Sequence, residues 1–227
     1  FMQSKDRGVP YTPIAIVLDQ YCGYNAYMGK PWGILTPSDG DLEVRDLFQD
    51  QLFPGSDHIH RNPFPDNPEA AYLRPTPFGE SFDVQLSDAP LPVLASYPVL
   101  LLVGDHRFEP SFVKTLNDAL VQGARVLLGQ RQVNALGVEN LSKLTSAGDV
   151  EILQAWINPA TRCPTAISNE RLGQLADEYQ PIGVRGDPVL YQINRTSRGW
   201  VIELVNNDGV TKFPTQPAVV DANAVAT

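Results

Sequence analysis

Few residues in this 227-residue chain have types and spacing that suit chemistry. Asp57, His58 and His60, with His106 far away in sequence, are metal-ligand types, and an extended Asp57-His58-Ile59-His60 would put both imidazoles on one side. No helix fixes that segment, so solvated loop histidines are the better account and no metal is expected. The turn Gly129-Gln130-Arg131-Gln132 follows an apolar run, where a nucleophile elbow would stand, yet it holds neither Cys nor Ser. Cys22 follows another apolar run but has no evident histidine partner. No catalytic residue is therefore assigned. Asp19 and Asp105 also follow apolar runs, as phospho-acceptor aspartates do. No lysine ends a later strand, so both read as residues that close turns.

A flavin phosphate would need small and hydroxyl residues after the first strand, so that backbone N–H groups reach it. The turn Asp19-Gln20-Tyr21-Cys22-Gly23 is bulky and begins with an anion. Neither GxGxxG nor GxxxxGK[ST] occurs, so no cofactor is expected. Tyr24, Tyr27 and Trp32 lie in a glycine-rich loop over residues 20–40. Such aromatics pin a long loop in place, or offer area to a sugar ring or a partner protein. With Asp19, Asp105 and His106 they make up the candidate ligand or interface positions.

The elements that must position these residues centre on residues 98–129. Residues 99–103 are a continuous apolar run, the mark of a strand buried on both faces. Phe112, Leu116, Ala119 and Leu120 repeat at helical spacing within 111–124, and residues 125–129 give a second short strand. Ahead of this unit, 14–19 reads as a buried strand. Residues 41–53 read as a helix with Val44, Leu47, Phe48 and Leu52 on one face, capped by Asp39 or Asp41. Residues 82–86 alternate as a strand does, and 91–97 suit a short helix. Behind the unit, 138–144 and 168–179 read as helices and 150–156 as a strand. Residues 189–194 and 200–205 read as a hairpin adding antiparallel strands at one sheet edge. Residues 56–81, rich in proline and charge, form a long loop of the kind that is functional or interface-forming. Alternating strands and helices predict an α/β fold, a mostly parallel sheet with helices on both faces. Its ligands belong at the carboxyl ends of the strands: at Asp19, at Asp105-His106 and at Gly129-Gln130-Arg131.

Composition narrows the partners. A hydrophobic share of 43% suffices for a substantial core, and a net charge of −9 argues against nucleic acid and anionic membrane surfaces. No run approaches the ~18 apolar residues of a membrane span. The 20 prolines point to long ordered loops. Cys22 and Cys163 are compatible with one disulfide or two free thiols and do not fix a compartment, with an extracellular or periplasmic setting slightly favoured. Phe1-Met2-Gln3-Ser4 is neither a start nor a signal peptide, and the last residues run on without a terminating element. The expectation is a piece of a longer polypeptide, with a domain over 1–207 and a linker or following β domain from 208 to 227.

The wording of the apolar segments resembles a known family. Pro13-Ile14-Ala15-Ile16-Val17-Leu18-Asp19 precedes an aromatic, glycine-rich loop and then Leu100-Leu101-Leu102-Val103-Gly104. A helix ending Leu120-Val121-Gln122-Gly123-Ala124 leads into Arg125-Val126-Leu127-Leu128-Gly129. Over about residues 10–206 this is similar to the class I glutamine amidotransferase-like (flavodoxin-like) fold. The variety it most resembles is the non-catalytic domain of multidomain glycoside hydrolases, including the β-galactosidase trimerisation domain. The resemblance implies a three-layer accessory domain of a carbohydrate-active enzyme, packed on a catalytic (β/α)8 barrel of the same polypeptide. Homo-oligomer contacts and carbohydrate are further partners that it admits. The family's catalytic cysteine would stand about at Gln130, so glutaminase chemistry does not carry over. A stand-alone carbohydrate-binding module, or a hydrolase with an unrecognised nucleophile, is the alternative.

Overall fold

A computed structural model describes residues 7–22, 38–53, 76–157, 164–165, 167–186, 189–205, 210–211, 217, 219–221 and 223–224. The chain divides into two compact units, one of Thr12–Leu47 and Phe82–Gln180, the other of Phe1–Tyr11, Phe48–Ser81 and Pro181–Thr227.

The first unit is built on a parallel five-stranded sheet. In chain order it contains β2 (Ile14–Leu18), α1 (Asp39–Asp46), β3 (Phe82–Leu86), α2 (Leu91–Leu94) and β4 (Val99–Leu102); β1 (Val9–Pro10) belongs to the other unit. Then come α3 (Pro110–Val121), β5 (Arg125–Leu128), α4 (Gln130–Ala147), β6 (Val150–Ile152), β7 (Trp156–Ile157), β8 (Pro164–Thr165) and α5 (Asn169–Tyr179). The strand order is β3-β2-β4-β5-β6, all parallel, with Ile14 opposite Val99 and Val99 opposite Arg125. The apolar runs become the three inner strands because side chains on both of their faces leave water. Ala15, Val17, Leu100, Leu102, Val126 and Leu128 pack with Leu94, Phe112, Leu116, Leu136 and Leu144 from α2, α3 and α4. Their neighbours Ile14, Ile16, Leu101 and Leu127 point the other way and are equally buried. Burying each such side chain stabilises by roughly 1.5–3 kcal/mol.

Several boundaries differ from the sequence reading. The helix expected over 41–53 begins at Asp39 and passes into a π-helical turn at Leu47–Leu52. Its N-cap is Ser38 rather than Asp39 or Asp41: the Ser38 hydroxyl accepts from the Asp41 N–H, and the Asp41 carboxylate accepts from the Ser38 N–H. The helix expected at 138–144 is the second half of α4, which starts at Gln130 and is interrupted at Gly137, where φ is +77°. The strand expected over 150–156 stops at Ile152, and Trp156–Ile157 pairs instead with Pro164–Thr165.

The second unit holds β1 (Val9–Pro10), β9 (Leu190–Thr196) and β10 (Gly199–Val205), an antiparallel sheet in the order β1-β9-β10. The predicted hairpin forms, but in this sheet of its own rather than at an edge of the parallel sheet. Tyr11 meets Trp200 edge to face at 5.1 Å between ring centres. Two further short strands, β11 (Val210–Thr211) and β12 (Val219–Val220), pair antiparallel.

Candidate functional site

The order β3-β2-β4 places the topological switch between β2 and β4, where the chain leaves β2 for one side and returns on the other. Ligands of open α/β sheets bind at the carboxyl ends flanking such a point. Asp19, just past β2, is buried there. Its Oδ1 accepts from the Tyr21 N–H at 2.9 Å and its Oδ2 from the Arg107 N–H at 2.8 Å. It therefore ties together the loops that follow β2 and β4. His106 is buried too, with Nε2 3.2 Å from the Val17 carbonyl oxygen and its ring stacked on Phe112 at 5.8 Å. Burial pushes the imidazole below its ordinary pKa, so it is neutral around pH 7, with the nearby Asp19 charge opposing the shift. Asp19 and His106 are thus built into the strand ends as supports.

Asp105 faces outward and joins three elements. Its Oδ2 accepts from the Ser38 hydroxyl at 2.6 Å, and its Oδ1 is 3.2 Å from Arg131 Nη1. Gly40 makes this possible: a Cβ there would run into the Asp105 carboxylate. At the end of β4, Gly104 has φ +82°, and a Cβ would come within 2.8 Å of Val44 Cγ2. Both glycines let α1 lie close over the end of β4.

Beside this contact is a cleft of about 560 Å³, lined by Glu43, Gln130, Arg131, Gln132, Asn134 and Thr165 among others. Glu43 is only 4% exposed. Burial pushes its carboxyl up to about 7; Arg131, the Gln132 amide and the Gly104 N–H act against that shift, and Asp105 adds to it. The arginine Nε is 3.4 Å from Glu43 Oε2. Gln132 is wholly buried and donates from Nε2 to the Gly104 carbonyl oxygen at 2.6 Å. Gln130, at the strand-to-helix turn, donates to Asn134 Oδ1 at 2.8 Å. Amide, carboxylate and guanidinium groups thus converge, the set that binds polar ligands by directed hydrogen bonds.

A second cleft, also about 560 Å³, is lined by Glu151, Trp156, Arg171 and Gln174 among others. Its central charges are mutually satisfied: Arg171 grips Glu151 with two bonds, of 3.0 and 2.6 Å, and Arg125 reaches the same carboxylate at 2.8 Å. The cleft beside Glu43 is the stronger candidate.

Of the residues singled out from sequence, the structure brings Asp19, Asp105 and His106 to neighbouring strand ends. Tyr24, Tyr27 and Trp32 lie outside the described residues, as do Asp57, His58, His60 and Cys163. Asn134 and Thr165 were missed by sequence reasoning, and so were Glu43 and Gln132. The last two each had a signal: Glu43 stands four residues before Leu47, and Gln132 four before Leu136, so both occupy apolar faces of their helices. The chain matches no known protein family, no curated protein and no solved structure.

Proposed function

We propose that this chain is a non-catalytic, ligand-holding module of a larger carbohydrate-active enzyme, a glycoside hydrolase, with a three-layer amidotransferase-like fold. The observation that carries the reading is the turn after β5. There Gln130 stands where a nucleophile would be needed, its amide engaged by Asn134, while Arg131, Gln132 and Glu43 present hydrogen-bonding groups around the cleft. Planar amide, carboxylate and guanidinium groups match the paired hydroxyls of a sugar. In the proposed enzyme the module packs on a catalytic (β/α)8 barrel and supports homo-oligomer contacts.

The test is a titration of the ¹⁵N-labelled chain with a panel of mono- and disaccharides. Shifts are expected at Gln130, Arg131, Asn134 and Thr165, and Arg131→Ala should weaken them. Absence of any saturable shift with every sugar defeats the binding reading. Ammonia release from glutamine by the pure chain, lost on Cys22→Ser, defeats the non-catalytic one.

A further inference from the structure

At the cleft beside Glu43, carboxylates outnumber the one guanidinium they face. Arg131 is set among three carboxylates: Nε is 3.4 Å from Glu43, Nη1 is 3.2 Å from Asp105 and Nη2 is 3.7 Å from Asp39. One guanidinium cannot neutralise all three when they are ionised. An independent observation points the same way. Gln132 lines the cleft and is wholly buried, and its Nε2 donates to the Gly104 carbonyl and, with its second hydrogen, to Glu43. Its Oε1 is buried with no hydrogen-bond partner among the described residues. Buried acceptors are ordinarily satisfied, so a lone one on a ligand cleft marks a place for a donor.

Resting on the reading of this cleft as a ligand site, we propose that its ligand carries a protonated primary amine, seated against Glu43 and the Gln132 side-chain oxygen. An ammonium is a compact set of three donors with no acceptor. It matches a place framed by a carboxylate and an amide oxygen better than a hydroxyl, which brings acceptor lone pairs as well. The three carboxylates are spread around Arg131 rather than converged, and among the described residues no group of three or more acidic, His or Cys side chains is placed to hold a metal ion. Asp39 and Asp105 are well exposed, so they draw a cation in through solvent; buried Glu43 makes the close contact.

Proton linkage follows. The charged groups facing Glu43 are Arg131 on α4, Asp105 after β4 and, through Arg131, Asp39 on α1 itself. With its carboxyl raised to about 7, Glu43 is largely protonated at pH 6, and an ammonium would expel that proton. Affinity therefore rises as pH rises toward 7.

The test uses calorimetry at pH 6 in two buffers of different ionisation heat, with glucosamine, glucose, N-acetylglucosamine and ethanolamine as probes. Glucosamine is expected to bind roughly tenfold tighter than the two neutral sugars, releasing about 0.9 proton per site. Glu43→Gln should abolish both the preference and the proton release. Asp105→Asn, on the exposed rim, should reduce the preference and serves if the first variant does not fold. Equal binding of the three sugars overturns the amine assignment and leaves the carbohydrate reading standing. Ethanolamine matching glucosamine, with glucose silent, supports the amine and overturns the sugar as its source. Failure of every probe overturns both.

Discussion

Glu43→Gln should flatten the pH dependence of stability near neutrality. The native Glu43 carboxyl titrates at about 7, against 4.5 for the unfolded chain. Between those values the native state binds more protons than the unfolded state, so stability falls as pH rises. The contribution is fully present below about 4.5 and lost as pH climbs through 7. Integrated from pH 5 to pH 8, such a shift amounts to about 2–3 kcal/mol. Glu43 is almost wholly buried, so solvent screening takes little away. Glutamine keeps the shape and removes the titration. Urea unfolding of both proteins at pH 5, 6, 7 and 8 isolates the difference, because every other group titrates alike in the two. Wild type should lose about 2–3 kcal/mol more than the variant across that range. Parallel curves would refute the assignment of a raised pKa to Glu43 and, with it, the proton release expected on ligand binding.

His106→Leu should act in the opposite direction. The buried imidazole has its pKa lowered, so its contribution is present above about 6.5 and lost as pH falls. Melting temperatures from pH 7 to 4.5 should fall more steeply for wild type than for the variant, and equal slopes would show that burial does not lower the His106 pKa below that of the unfolded chain. Gly104→Ala forces a side chain to adopt φ +82° and into Val44, and should cost about 1–3 kcal/mol by urea unfolding. A neutral effect would mean that α1 does not lie as close to the end of β4 as the geometry has it.

The inner strands were legible because parallel strands covered on both faces must be apolar at every position, and 14–18 and 99–102 are. The helices α3 and α5 were legible because each has one apolar face and a polar remainder. The start of α4 was hidden by the make-up of its first turn. Gln130, Arg131 and Gln132 make its first turn polar where it meets the cleft, and Gly137 breaks the period that would have extended it. Strand β1 is two residues long and includes a proline; only its pairing with Arg195 and Asn194 in β9 defines it. At the site, Asp105 was found from its place after a strand. Glu43 was passed over because amphipathic reading follows apolar residues, whereas its role shows as a charge on the apolar face. The Glu43–Arg131–Asp105 contacts join three distant stretches of chain, and periodicity within one stretch carries no trace of them.

The strand order also bears on how the chain reaches its folded state. The β4–α3–β5 unit closes locally, pairing Val99 with Arg125, whereas β2 must be recovered from Ile14 to pair with the same Val99. Loop closure over the longer span costs roughly 1 kcal/mol more, before any contact within it compensates. Nucleation is thus favoured at β4–α3–β5, with insertion of β2 between β3 and β4 as a late step. Glu43 arrives with the segment that follows β2, while Asp105 belongs to the early unit and Arg131 and Gln132 follow directly on it in α4. The cleft is therefore assembled last, and a ligand seated against Glu43 would act as a latch on the final step, slowing unfolding without hastening the search that precedes it.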